Sequence, residues 1–322
     1  MTTQPVADLL LVNLGTPEAA TPASVRAFLE EFLGDPAVVD LPRFIWLPIL
    51  YGIILRTRPE RVAHQYAAIW TPSGSPLRVE TEAITASAAA LAAGRCRVHC
   101  AYRYGKPSID AMIRRIAREA TGQIIVVPLF PQRTDATTGT VFRTAREAAA
   151  RAGATIRLVE RVIPADDPGY IEALAHQWNE ALATAPHQPD HFVVSFHGLP
   201  VRYANREGQV YTRDCEQTTA ALLRAIDWPR DRTTVAYQSK FGPEPWLTPA
   251  TADMLTRLPT TGVRHVAVIA PGFVTEGLET LEELGIRGRE TFLAAGGESL
   301  LYVPAVGHHP AFLRALLGLV ES

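Results

Sequence analysis

Eight short apolar runs, separated by longer amphipathic stretches, constrain this chain more than any other feature. The runs cover residues 9–12, 97–101, 124–128, 156–159, 192–196, 234–237, 266–270 and 300–303. Helix-patterned segments lie at 22–33, 77–92, 108–120, 138–152, 170–183, 213–226 and 249–258. Parallel strands need a crossover long enough to hold a helix, so this alternation predicts βαβ units and an α/β fold of parallel sheets with helices on both faces. The pattern breaks around Ile163-Pro164-Ala165-Asp166-Asp167-Pro168-Gly169 and then begins again. With 322 residues the chain exceeds one ordinary core, so a domain boundary is expected at that break, four strands to each side.

Composition narrows the function classes. A hydrophobic fraction of 47% beside 20% charged residues fits a folded globular chain. A formal charge of −2 gives no basic footprint for nucleic acid, which is therefore not an expected partner. Cys96, Cys100 and Cys215 form no even disulfide framework, and Met1-Thr2-Thr3-Gln4 lacks the basic and apolar regions of a signal peptide, so the cytoplasm is the expected compartment. The longest uncharged apolar run, Phe44 to Leu55, is short of the roughly 20 residues that span a bilayer. It reads in two ways: as a buried helix broken at Pro48, or as a segment dipping into a membrane interface beside Arg43, Arg56 and Arg58.

Loops after strands hold the chemistry. Asn13-Leu14-Gly15-Thr16-Pro17 follows the first run, and residues 130–139 follow the third. Such loops at carboxyl ends of strands form a cleft in α/β proteins, which two facing domains would enclose. No G-x-G-x-x-G after a strand, no G-x-x-x-x-G-K-[ST] and no G-x-S-x-G elbow occurs, so nucleotide use and serine hydrolysis lack support. Ser195-Phe196-His197-Gly198-Leu199-Pro200 ends a strand in an imidazole. The run 266–270 leads through Pro271-Gly272-Phe273 into Glu276, Glu279, Glu282 and Glu283. On an α-helix Glu276, Glu279 and Glu283 would share a face. That face reads either as a solvated acidic surface or as a place where cations or protons are handled; His197 reads either as a structural histidine or as a ligand.

The combination resembles the ferrochelatase family nearly end to end. The matching stretches are Leu11-Val12-Asn13-Leu14-Gly15-Thr16-Pro17, Leu55-Arg56-Thr57-Arg58-Pro59, Tyr66-Ala67-Ala68-Ile69-Trp70 and Gly74-Ser75-Pro76-Leu77. They continue with Arg103-Tyr104-Gly105, Pro128-Leu129-Phe130-Pro131-Gln132, Thr137-Thr138-Gly139, Gln238-Ser239-Lys240-Phe241-Gly242-Pro243, Trp246-Leu247, Gly272-Phe273-Val274 and Leu278-Glu279-Thr280-Leu281.

The resemblance implies two Rossmann-like, chelatase-type domains, each with a four-stranded parallel sheet, and an active-site cleft between them. The first would take 1–163 plus a returning C-terminal helix within 304–322, the second 164–303. It also implies insertion of Fe²⁺ into protoporphyrin IX by a lyase, with porphyrin and ferrous iron as substrates. His197 and Glu279 would be the catalytic and metal-binding pair, and Glu276 and Glu283 a proton or metal relay. Leu14, Arg56, Arg103, Tyr104, Lys240 and Trp246 would face the porphyrin. No cofactor is required, and three cysteines fall short of the four ligands a [2Fe–2S] cluster takes. A monomer is expected, with peripheral membrane contact through 44–55. This chain departs from the family's common pattern at Gly277, where many members have histidine, at Arg133 and at Arg287. The rival readings are a coproporphyrin III ferrochelatase, a chelatase for cobalt or nickel, and a tetrapyrrole carrier without turnover.

Overall fold

The computed structural model describes residues 7–119, 122–153 and 156–321. The expected absence of a leader at Met1 to Gln4, and the expected helix end at Ala120, fall outside them. Two compact units are present. The first takes the described residues through Phe130, Thr134–Ile163 and the chain from Leu316; the second takes Pro131–Arg133 and Pro164–Ala315. The division thus runs through the last helix, Pro310–Glu321, rather than ahead of it.

The first unit holds β1 (Ala7–Asn13), β2 (Cys96–Tyr102), β3 (Gln123–Pro128) and β4 (Arg157–Glu160) in the order β2-β1-β3-β4, all parallel. β1 is central, and Leu9, Leu10, Leu11 and Val12 are wholly buried. A parallel strand covered on both faces needs such an unbroken apolar run. One face packs on Ile113 and Ile116 from helix Ile109–Ala117 and on Val141 and Ala145 from helix Thr140–Ala152. Ser108 caps the former by accepting from the Ala111 amide.

The second unit repeats the plan with β5 (His191–His197), β6 (Thr233–Gln238), β7 (His265–Ile269) and β8 (Ser299–Val303) in the order β6-β5-β7-β8, again all parallel. Its core joins Val193, Ala236, Leu255, Val268, Leu284 and Phe292. The Asp-Pro-Gly breaker in the sequence becomes a helix start. Asp167 accepts from the amides of Gly169 and Tyr170, and Pro168 takes the first position of helix Pro168–Thr184, where its missing N–H costs nothing. In both sheets the chain steps from its first strand to one side and then crosses to the other. The switch points therefore lie at the carboxyl ends of β1/β3 and β5/β7, where α/β sheets bind ligands.

Two expectations fail on local geometry. Pro48 does not break the 44–55 segment: helix Arg43–Ile49 runs on through a π-helical stretch, Leu50–Ile54, into helix Leu55–Ile69. The backbone accommodates the proline by widening the next turn instead of ending. Nor is the segment buried. Trp46, Leu50 and Leu55 point inward, but Phe44 is 80% exposed and Ile53 56%.

The acidic segment is likewise not an α-helix bearing three glutamates on one face. It is a π-helix, Leu278–Gly288, preceded by Gly277 in an extended conformation. That places Glu276 outside the helix, and its buried carboxylate accepts from the Tyr302 hydroxyl and the Ala305 amide, each at 2.8 Å.

Candidate active site

At the β5/β7 switch point His197 is the last residue of β5 and is exposed, whereas Phe192 to Phe196 before it are buried. Its Nδ1 lies 2.7 Å from the Gly198 carbonyl oxygen. A carbonyl only accepts, so Nδ1 carries a proton, which leaves Nε2 as the ring's other nitrogen, bearing a lone pair whenever the ring is neutral. Tyr211 donates its hydroxyl to the His197 carbonyl at 2.7 Å, which fixes the backbone beneath the ring. Gly198 has no substitute here: an added Cβ would stand 2.6 Å from the Gln238 carbonyl oxygen and 3.0 Å from the Trp246 ring. The indole of Trp246 therefore packs directly on the turn that carries the imidazole.

Glu279 lies in the first turn of the π-helix that the β7 loop delivers. Burial pushes its carboxyl above the usual carboxylate range, the neighbouring His197 imidazole pulls the other way, and the carboxylates of Glu283 and Glu282 add to the rise. The imidazole and the carboxyl are thus electrostatic neighbours. The Glu283 carboxylate accepts from the Ser239 amide at 2.8 Å and from its hydroxyl at 2.5 Å. Glu282, buried, is held by Arg287 at 2.8 and 3.0 Å. Arg133 is bound to buried Asp214 through its Nε and Nη2, each at 2.8 Å, closing the 131–133 loop on helix Val210–Ala225. Lys240 is exposed at the end of the β6 turn.

The other porphyrin-facing candidates belong to the first unit. Leu14 is half-buried and Arg56 exposed. Gly15 adopts φ +108°, and a Cβ there would meet the Tyr104 carbonyl oxygen at 1.8 Å, so only glycine fits. Arg103 and Tyr104 are committed internally. The guanidinium pairs with Asp35 and donates to Thr140 at 2.9 Å, and the Tyr104 hydroxyl donates to Asp35 at 3.0 Å. Tyr104 is fully buried, and burial pushes its hydroxyl pKa up. Both residues hold the wall of their own loop. Among the described residues no group of three or more His, Cys, Asp or Glu side chains converges on a metal position.

A family model described as Ferrochelatase matches residues 7–322. The chain belongs to the ferrochelatase family. It is 41% identical over 318 residues to the ferrochelatase of Pectobacterium atrosepticum, covering 97% of this chain and 98% of that one. It is 42% identical to the ferrochelatase of Edwardsiella ictaluri, covering 98% and 97%. Among solved structures it resembles the sirohydrochlorin chelatase of Bacillus subtilis subspecies spizizenii, determined with cobalt, at a TM-score of 0.58 and 13% identity, over 98% of this chain and 94% of that one. That likeness is one of fold: two four-stranded parallel sheets flanked by helices, the chelatase arrangement.

Within this ferrochelatase framework, sequence reasoning named His197 and Glu279 but passed over the polar groups bonded to them or to their neighbours, Ser195, Tyr211, Gln238 and Ser239. A signal was present. Ser195 interrupts an otherwise apolar run. A polar side chain inside a buried parallel strand must find a partner.

Proposed function

We propose that this chain inserts Fe²⁺ into protoporphyrin IX, with His197 and Glu279 as the reacting pair. The observation that carries the assignment of roles is the pairing itself: an exposed imidazole beside a carboxyl whose proton affinity burial has raised. Metallation exchanges two pyrrole N–H protons for one Fe²⁺, so the site must supply a donor to the metal and an acceptor for protons. A neutral imidazole and a carboxylate do both. A carboxyl with raised pKa is the better proton acceptor, because its driving force for taking a proton is larger at neutral pH. Glu283 extends the acidic line along the π-helix, and Glu276 serves it from outside the helix. Trp246, Lys240, Leu14 and Arg56 are the proposed porphyrin contacts, with Arg103 and Tyr104 supporting them through Asp35. The proposal includes no cofactor beyond the two substrates, in keeping with three cysteines, one short of a four-thiolate cluster.

The test is anaerobic metallation followed by absorbance, with protoporphyrin IX and coproporphyrin III offered separately. His197→Ala and Glu279→Gln are each expected to lower kcat at least about 10³-fold while the porphyrin still binds. Near-normal rates in both would refute the pair, and faster turnover of coproporphyrin III would overturn the substrate.

The chain is further proposed to work as a monomer in the cytoplasm, touching the membrane through the 44–55 helix. Phe44, Ile45, Tyr51 and Ile53 stand exposed there between Arg43 and Arg56, an apolar patch with basic flanks suited to an anionic interface. No helix among the described residues is long and apolar enough to cross a membrane. Flotation with anionic liposomes should recover the wild type and lose a Phe44→Glu, Ile53→Glu variant; equal recovery of the two sinks the contact.

A further inference from the structure

The corner where β6 ends, Gln238-Ser239, bonds to the residues flanking His197 on one side and to the backbone of Glu279 and the carboxylate of Glu283 on the other. Toward β5, Gln238 lies opposite His197 in the ladder, its carbonyl accepts from the Gly198 amide at 2.7 Å, and its Oε1 accepts from the Ser195 hydroxyl at 2.6 Å. Ser195 is steadied in turn by Thr251 at 2.8 Å. Toward the π-helix, Gln238 Nε2 donates to the Glu279 carbonyl at 2.8 Å, and Ser239 binds the Glu283 carboxylate through both its amide and its hydroxyl. Glu279 and Glu283 are four residues apart, about one turn of a π-helix, so the two attachments grip successive turns of one face.

The corner is built at a cost. Ser195, Gln238 and Thr251 are buried polar side chains in a strand-and-helix core, and Ser239 adopts φ +62°, a left-handed conformation that a non-glycine residue takes only under constraint. Helix packing alone would not require this; apolar residues would fill the same space more cheaply. What the polar version supplies is direction, because each bond fixes an angle as well as a distance.

We propose that Gln238, with Ser239, is a positioning residue that sets the separation and orientation of His197 and Glu279. The inference rests on those two residues being the reacting pair. A carboxyl on a helix whose first turn is unanchored drifts relative to a strand-end imidazole, and a misplacement of about 1 Å can cost about 10²-fold in rate.

The variants are Gln238→Met, which keeps length and volume but removes donor and acceptor, and Ser239→Gly, which removes one hydroxyl and suits the positive φ. The readout is kcat and porphyrin KM for Fe²⁺ insertion, with His197→Ala alongside. Gln238→Met should lower kcat about 10- to 100-fold and Ser239→Gly about 3- to 10-fold, with porphyrin KM within about twofold of wild type. Values of kcat within twofold of wild type beside an inactive His197→Ala overturn the positioning role alone. Full activity in His197→Ala overturns the reacting pair and the corner's role with it. Should Gln238→Met fail to fold, Ser239→Gly decides: a lowered kcat at constant KM supports the role, and an unchanged kcat overturns it.

Discussion

The carboxyl end of β5 and the carboxyl end of β1 occupy the same place in two sheets of identical strand order, yet they spend their polar groups in opposite ways. After β5, an exposed imidazole keeps its Nε2 free and a desolvated carboxyl stands beside it. After β1, Asn13 is tied to Thr81 at 2.9 Å, and the nearby cation and phenol of Arg103 and Tyr104 are drawn onto Asp35. One end presents an exposed imidazole; the other gathers its cation and phenol onto one carboxylate. A shared scaffold therefore does not make the two ends chemically equivalent. The proposed reacting pair stands at the end where backbone bonds hold side chains in place without consuming them.

The comparison breaks if the β1 end turns out to be reactive, and Asp35 is the place to strike. Its carboxylate collects Arg103, the Tyr104 hydroxyl, Thr140 and the Ala37 amide. Asp35→Ala leaves a mostly buried guanidinium and a buried hydroxyl without their acceptor, which should cost about 3 kcal/mol. Thermal unfolding should fall by roughly 6–12 °C, while kcat of the folded protein stays within about threefold of wild type. A kcat loss rivalling that of His197→Ala, at an unchanged melting temperature, would mean that Arg103 and Tyr104 act on the substrate directly.

What could be read from the sequence follows the same line. The strands were legible because a buried parallel strand must be apolar throughout, and Leu9 to Val12 can hardly be anything else. His197 was legible because it ends such a run. The line Glu276, Glu279, Glu283 was misjudged, since periodicity assumes 3.6 residues per turn and Gly277 and the wide helix remove that premise. The same wide turn hides behind Pro48, which reads as a break and is in fact passed over. Gln238 was invisible as an anchor because its partner lies 41 residues further along the chain, and single-sequence patterns hold no such contact.

A finer test of the contrast uses stability instead of rate. A group whose charged form is disfavoured by folding has its pKa raised above the unfolded value, and Glu279 is such a group. Below the ordinary carboxylate value of 4.5 both states carry the neutral carboxyl, and its ionisation costs the fold nothing. As pH rises through the raised folded pKa, the unfolded chain gives up its proton first, and the native state loses stability relative to it. Glu279→Gln removes that loss. At pH 7 to 8 the variant should therefore melt higher than wild type by on the order of 1 kcal/mol, or roughly 2–4 °C, with the gap closing as pH falls toward 4. The gain and the loss of metallation would come from one substitution, as expected when a carboxyl is kept partly dehydrated for its chemistry. An unchanged or lower melting temperature at pH 8 would show that the carboxylate is as well solvated by its surroundings as by water, and the β5 end would then hold no more unspent energy than the β1 end.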